Sequence, residues 1–131
     1  MFEFYKSQVQ PNSPVTMELP TTASESYSVG ETLKIASGAL TKASGTDVPE
    51  YISCAKYSAP SSGQKKLQVV KINKDQIYRV PLQAAGTSLA VGNKVTIHTD
   101  GLQVTATTTS GVATILDIEG TAVGDYVKVC F

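Results

Sequence analysis

Residues 28–35 read SVGETLKI, residues 90–97 read AVGNKVTI and residues 122–129 read AVGDYVKV. Each phrase is a small residue, Val, Gly, two mostly polar residues, then an apolar-polar-apolar triplet. Glycine tolerates positive φ at no steric cost, so it lets a chain turn tightly just before a strand. The phrases therefore predict turns at Gly30, Gly92 and Gly124, each opening a strand. Side chains alternate faces along a strand, which places Leu33, Ile35, Val95, Ile97, Val127 and Val129 toward a core. The glycine spacing is unequal, so this is a strand-start device used three times rather than a solenoid repeat.

The rest of the chain has the same grammar. TLKIAS (32–37), EYISCAKYS (50–58), KLQVVKI (66–72), QIYRVPLQ (76–83), KVTIHT (94–99), LQVTATT (102–108), VATILDIE (112–119) and YVKVCF (126–131) are short runs bounded by turn residues. No window carries apolar residues at helical spacing. The pattern predicts an all-β fold, a small antiparallel β-barrel or sandwich of about eight short strands. Asp100-Gly101 reads as a type I′ hairpin turn, with Leu102, Val104 and Ala106 sharing a face of the return strand.

The domain so defined covers 25–131. Residues 1–24 differ, with prolines at 11, 14 and 20 and little apolar alternation. Proline lacks the N–H a sheet ladder needs, so this part reads as an extended N-terminal arm. Its aromatic residues Phe2, Phe4 and Tyr5 are costly to leave in water and are expected to dock, on this subunit or a neighbour.

Composition narrows the function. Eleven basic residues balance eleven acidic ones, and charged residues are 17% of the chain, below the usual ~25%. Such a surface argues against nucleic acid as partner and favours self-association. No apolar run reaches the ~18 residues of a membrane helix. MFEFYKSQVQ lacks the basic and apolar regions of a signal peptide. The expectation is a soluble chain that matures inside a cell and contacts no membrane. Cys54 and Cys130 read as half-buried strand residues, not a metal motif or disulfide framework.

The search for chemistry yields no constellation for catalysis, metal or cofactor. His98, the only histidine, falls on the strand face opposite Ile97 and reads as exposed. Asp47 with Glu50, and Asp117 with Glu119, are close carboxylates without a spacing that demands acid–base work. Lys65, Lys66, Lys71, Lys74 and Arg79 hold five of the eleven basic residues. They read as a solvated edge hairpin protected by lysines, or as a contact for an acidic partner surface.

SGTDVPEYIS (44–53) and the run from 89 to 131 carry a resemblance. The pieces are S-G-T-x-x-P-x-Y-I-S, G-x-K-V-T-I-x-x-D-G-x-Q-V-T-A-T, G-V-A, and D/E-G-T-A-x-G-D-x-V-x-V-x-F. In this order they resemble the head-fibre or capsid-decoration proteins of tailed bacteriophages and prophages of Gram-positive and gut bacteria, over residues 28–131. The resemblance implies a non-enzymatic virion protein on the head exterior, made in the host cytoplasm. Its implied partners are the major capsid protein and further copies of itself, a trimer among the options. The rival reading is an adhesion module that binds a host-surface carbohydrate or protein, with Tyr51, Tyr57, Tyr78 and Tyr126 as stacking groups. A small hydrolase is a third class, without a constellation to support it.

Overall fold

The structure is a computed structural model and describes residues 1–8 and 14–131. In chain order the strands are β1 (Glu3–Ser7), β2 (Thr16–Pro20), β3 (Ser26–Tyr27), β4 (Thr32–Ala36), β5 (Ala39–Lys42) and β6 (Tyr51–Ser53). They continue as β7 (Tyr57–Ser58), β8 (Lys66–Lys71), β9 (Gln76–Pro81), β10 (Lys94–Val95), β11 (Ala113–Ile118) and β12 (Tyr126–Cys130). No helix occurs among the described residues. The first sheet runs β1-β9-β12-β11-β10 and the second β2-β8-β6-β4-β5, while β3 and β7 form a small ribbon. All strand pairs are antiparallel. Of the two architectures the sequence left open, this is the sandwich; neither sheet closes into a barrel. An isolated bridge between Thr21 and Leu40 ties the edges of the second sheet at one end.

Two apolar clusters hold the layers. Tyr78, Val80, Val127, Val129 and Ile115 on the inner face of the first sheet meet Ile52 and Ile72 from the second. The second sheet curls over Tyr27, Leu33, Leu40, Tyr51, Leu67 and Val69. Each such side chain contributes about 1.5–3 kcal/mol on burial, well above any exposed ion pair. Tyr27 also uses its hydroxyl, which donates to the Leu40 carbonyl at 2.8 Å and accepts from the Thr22 N–H at 2.9 Å.

The three repeated phrases form the same turn. Gly30, Gly92 and Gly124 have φ of 76°, 92° and 86°. The N–H after each glycine closes the turn onto Ser28, Ala90 or Ala122. The side chains of Glu31, Asn93 and Asp125 each accept the N–H of that same first residue, at 2.7–2.9 Å. Each glycine N–H reaches across to another segment, at Ser53, Ile115 and Leu82. The device both turns the chain and stitches the turn to a neighbour.

Four expectations need correction. Residues 1–24 are extended, but they are not an arm separate from the domain: β1 pairs with β9 and β2 with β8. Edge strands tolerate proline because one side of their ladder is free, so Pro20 ends β2 without penalty; Pro11 lies outside the described residues. Ile35 is 41% exposed, because β4 pairs with β6 only through Thr32 and Leu33 and its far end projects as a hairpin. The type I′ turn lies at Ser37-Gly38, with φ of 51° and 80° between paired Ala36 and Ala39. At Asp100-Gly101 only the glycine has positive φ (69°); the Asp100 carboxylate accepts the Leu102 N–H and the Gln103 amide instead. Finally, β8 and β9 are not a hairpin, since they belong to different sheets.

Candidate functional site

The outer face of the first sheet gathers the polar and aromatic groups left over from the core. Cross-strand register sets Glu3 beside Arg79, Arg79 beside Lys128 and Lys128 beside Asp117. Alternation along β12 turns Val127 and Val129 inward and leaves Tyr126 and Lys128 outside. The Arg79 guanidinium donates to both Glu119 oxygens, Nη2 to Oε2 at 2.8 Å and Nε to Oε1 at 3.1 Å, and lies 3.5 Å from the Tyr126 ring centroid. Lys128 Nζ reaches Asp117 Oδ2 at 2.8 Å and Glu119 Oε1 at 3.4 Å, and sits 4.5 Å from the Tyr5 ring centroid. Hydrogen bonds from Arg79 and Lys128 hold the Glu119 and Asp117 carboxyls below the usual carboxylate range. The same bonds raise both cations above their ordinary values.

Two β-bulges shape this face. One falls between Phe4 and Lys6, the other between Ile115 and Asp117. The extra residues are Tyr5 and Leu116, and both line one groove of about 190 Å³ with Ile77, Lys6, Asp117 and Lys128. Bulges re-aim side chains and often flank sites. Here they roof Ile77, which is only 7% exposed although it points away from the sandwich core. Tyr5 itself stays 48% exposed.

The residues singled out from sequence fall in different places. Phe2 is buried (3% exposed) and packs on Phe131 at a centroid distance of 5.6 Å. Phe4 is exposed at the sheet edge with its ring edge-on to Tyr78. Lys65, Lys66 and Lys74 are exposed, and Lys71 lies over the Tyr51 ring at 4.8 Å. Arg79 belongs to the other sheet, so the five basic residues do not make one patch. Lys71 and Lys74 instead border a second groove of about 160 Å³ with Val48, Pro49, Ile72 and Phe131. The tyrosines expected to be exposed are not a platform: Tyr51 and Tyr78 are buried, and Arg79 covers Tyr126. Sequence reasoning missed Lys128, Leu116 and Ile77. The alternation in YVKVCF already placed Lys128 outward, but a bulge leaves no mark in a period-two pattern.

The carboxylates of Asp47 and Glu50 have local partners. Asp47 pairs with Lys34 at 2.8 Å, while Glu50 turns to the Ile35 N–H at 3.4 Å. His98 is half-buried rather than exposed, with Nδ1 3.2 Å from Asp100 Oδ2. Burial opposes ionisation of Asp100, but its bonds to Leu102, Gln103 and His98 hold its pKa below the ordinary value. Cys54 and Cys130 are free, half-buried thiols. Among the described residues no group of three or more His, Cys, Asp or Glu could hold a metal, and no helix is long and apolar enough to cross a membrane. No protein-family model matches the chain, and no curated protein matches it either.

Proposed function

We propose that this chain is a non-enzymatic structural protein of a phage particle, a head-fibre or capsid-decoration protein docking on the major capsid protein at the head exterior. The observation that carries the reading is the paired bulges, which hold Tyr5 and Leu116 over Ile77 beside β1, the first strand in the order of its sheet. Phe4 and Tyr5 are large and exposed on a strand whose backbone is paired, so burying a ring on a partner is worth about 1.5–3 kcal/mol, less the side-chain entropy lost. The resemblance over residues 28–131 supplies the capsid as partner. Zero net charge fits a protein surface better than counterion-driven binding to DNA.

The test is co-sedimentation with undecorated heads, comparing wild type with Phe4→Ala/Tyr5→Ala. Loss of both rings should weaken binding tenfold or more. Failure of the wild type to sediment with heads overturns decoration. Equal binding of both forms moves the contact to the groove at Val48 and Phe131. Point variants are needed because a chain starting at Thr22 loses β1, β2 and the buried Phe2.

The second reading, an adhesion module for a host carbohydrate or protein, is favoured by the same groove. A half-exposed tyrosine ring, with Lys128 on it and Asp117 beside it, combines an aromatic surface with hydrogen-bonding groups. Saccharide binding that Tyr5→Ala abolishes, without head binding, selects it.

A further inference from the structure

The two bulges flank the middle strands of the first sheet at nearly one level. The β1 bulge falls opposite Tyr78 and Ile77, the β11 bulge opposite Val129 and Lys128, and Val129 pairs with Tyr78. The groove they line therefore crosses the strands, with Tyr5 at the β1 end, Leu116 at the β11 end and β9 and β12 between them. Three strand spacings make roughly 14 Å, the length of about four extended residues. The two ends differ in charge. At the β1 end Lys6 is exposed, with Nζ 5.7 Å from the Tyr5 ring centroid, and it enters no ion pair among the described residues. At the β11 end the Asp117 side chain is 52% exposed, with Oδ2 on Lys128. Lys128 is neutralised by Asp117 and Glu119, and Arg79 by Glu119 with Glu3 beside it in register. Lys6 is the cation of this groove left without a carboxylate.

We infer that the groove takes one extended protein segment in a fixed direction: a carboxylate at the Lys6 end, an apolar side chain on Ile77 between Tyr5 and Leu116, and a basic group at the Asp117 end. The segment's owner, the major capsid protein, comes from the decoration reading, on which this assignment rests. At about 190 Å³ the groove is smaller than the ~300–1,000 Å³ pockets that enclose a small-molecule ligand, and it suits a side chain carried on a backbone that lies outside. Burial of that side chain supplies affinity, while the charges at the two ends select partner and direction. A segment laid the other way would set a carboxylate against Asp117 and a cation against Lys6, and like charges so placed suppress the wrong register.

The experiment is co-sedimentation of the full chain with undecorated heads, using Lys6→Glu, Lys6→Gln, Leu116→Ala and, as control, Lys66→Glu. Lys66 is exposed on β8 in the other sheet, and its reversal changes net charge by the same amount as Lys6→Glu. Lys66→Glu should bind as the wild type does. Lys6→Glu should bind at least tenfold more weakly with an unchanged melting temperature, Lys6→Gln should fall between, and raised salt should narrow the gap. Leu116→Ala should also weaken binding. Heads that bind Lys6→Glu as well as wild type overturn this assignment and leave decoration standing. So does an equal loss in Lys66→Glu, which would reflect overall charge, or an undiminished Leu116→Ala. A wild type that does not bind heads overturns decoration and the segment with it, as does a saccharide bound at this groove without head binding.

Discussion

Arg79 joins two neighbours at once: its guanidinium stacks 3.5 Å above Tyr126 and forks onto Glu119. A lysine could keep the charge but not the planar fork or the stack. Arg79→Lys should therefore lower the melting temperature almost as much as Arg79→Ala. In 1 M salt the deficit of both should shrink but persist, since salt screens the ion pair and not the stacking. A deficit that vanishes in salt would show that stacking contributes nothing.

Phe2 and Phe4 predict opposite outcomes two residues apart. Phe2→Ala opens a cavity against Phe131 and should cost about 3–5 kcal/mol. Phe4→Ala, at 39% exposure, should cost less than about 1.5 kcal/mol. Denaturant unfolding of the two variants measures the difference. Equal small costs would return the first strand to the status of a loose arm.

Glycine replacements separate backbone strain from crowding. A Cβ at Gly92 meets nothing within 4 Å, whereas at Gly101 it meets Glu31 Cγ at 3.0 Å and Lys42 Cγ at 3.2 Å. Gly92→Ala should cost about 1 kcal/mol for positive φ alone, and Gly101→Val clearly more. At Gly111 a Cβ would fall on the Lys94 carbonyl, so Gly111→Ala should part β10 from β11. Thermal melts order the three variants; Gly92→Ala as the most damaging would contradict the ordering.

The sheets were largely legible in sequence, because KLQVVKI, VATILDIE and YVKVCF alternate around a buried face. The turns at Gly30, Gly92 and Gly124 followed from the need for positive φ. The run LQVTATT was misleading. Val104 bridges Ile97 on one side and Leu82 on the other, so the segment makes isolated bridges instead of a strand. The arm was misread because proline content speaks against central strands, and β1 and β2 are edge strands. The site was hardest to see, since it depends on register between four strands and on two bulges.

Glu31 gives a pH signature. Its side chain is 2% exposed; Oε2 accepts the Ser28 N–H, while the fully buried Oε1 has Lys42 Nζ 3.6 Å away and no hydrogen bond. Burial raises its pKa, with Glu25 adding to the rise and the Ser28 and Lys42 contacts opposing it. The folded state thus holds this proton more tightly than the unfolded chain. Stability from this group falls as pH rises from the unfolded pKa through the folded one, and returns on acidification. Glu31→Gln cannot titrate. Relative to that variant, the wild type should gain stability as pH drops from neutral toward the ordinary glutamate value. Parallel stability curves for the two proteins would exclude a raised Glu31.

The pairing of β1 with β9 and β2 with β8 sets a timetable for synthesis. These strands leave the ribosome before their partners, which follow only when residues 66–81 have been made. Pairings this distant in sequence close slowly, because loop entropy is lost before any contact is gained. Until then Phe2, Phe4 and Tyr5 travel on an unpaired strand edge. A nascent chain stalled before β9 therefore exposes an aromatic edge to its neighbours on the polysome, and aggregation in the cell should track slow translation of that stretch more closely than the stability of the finished protein.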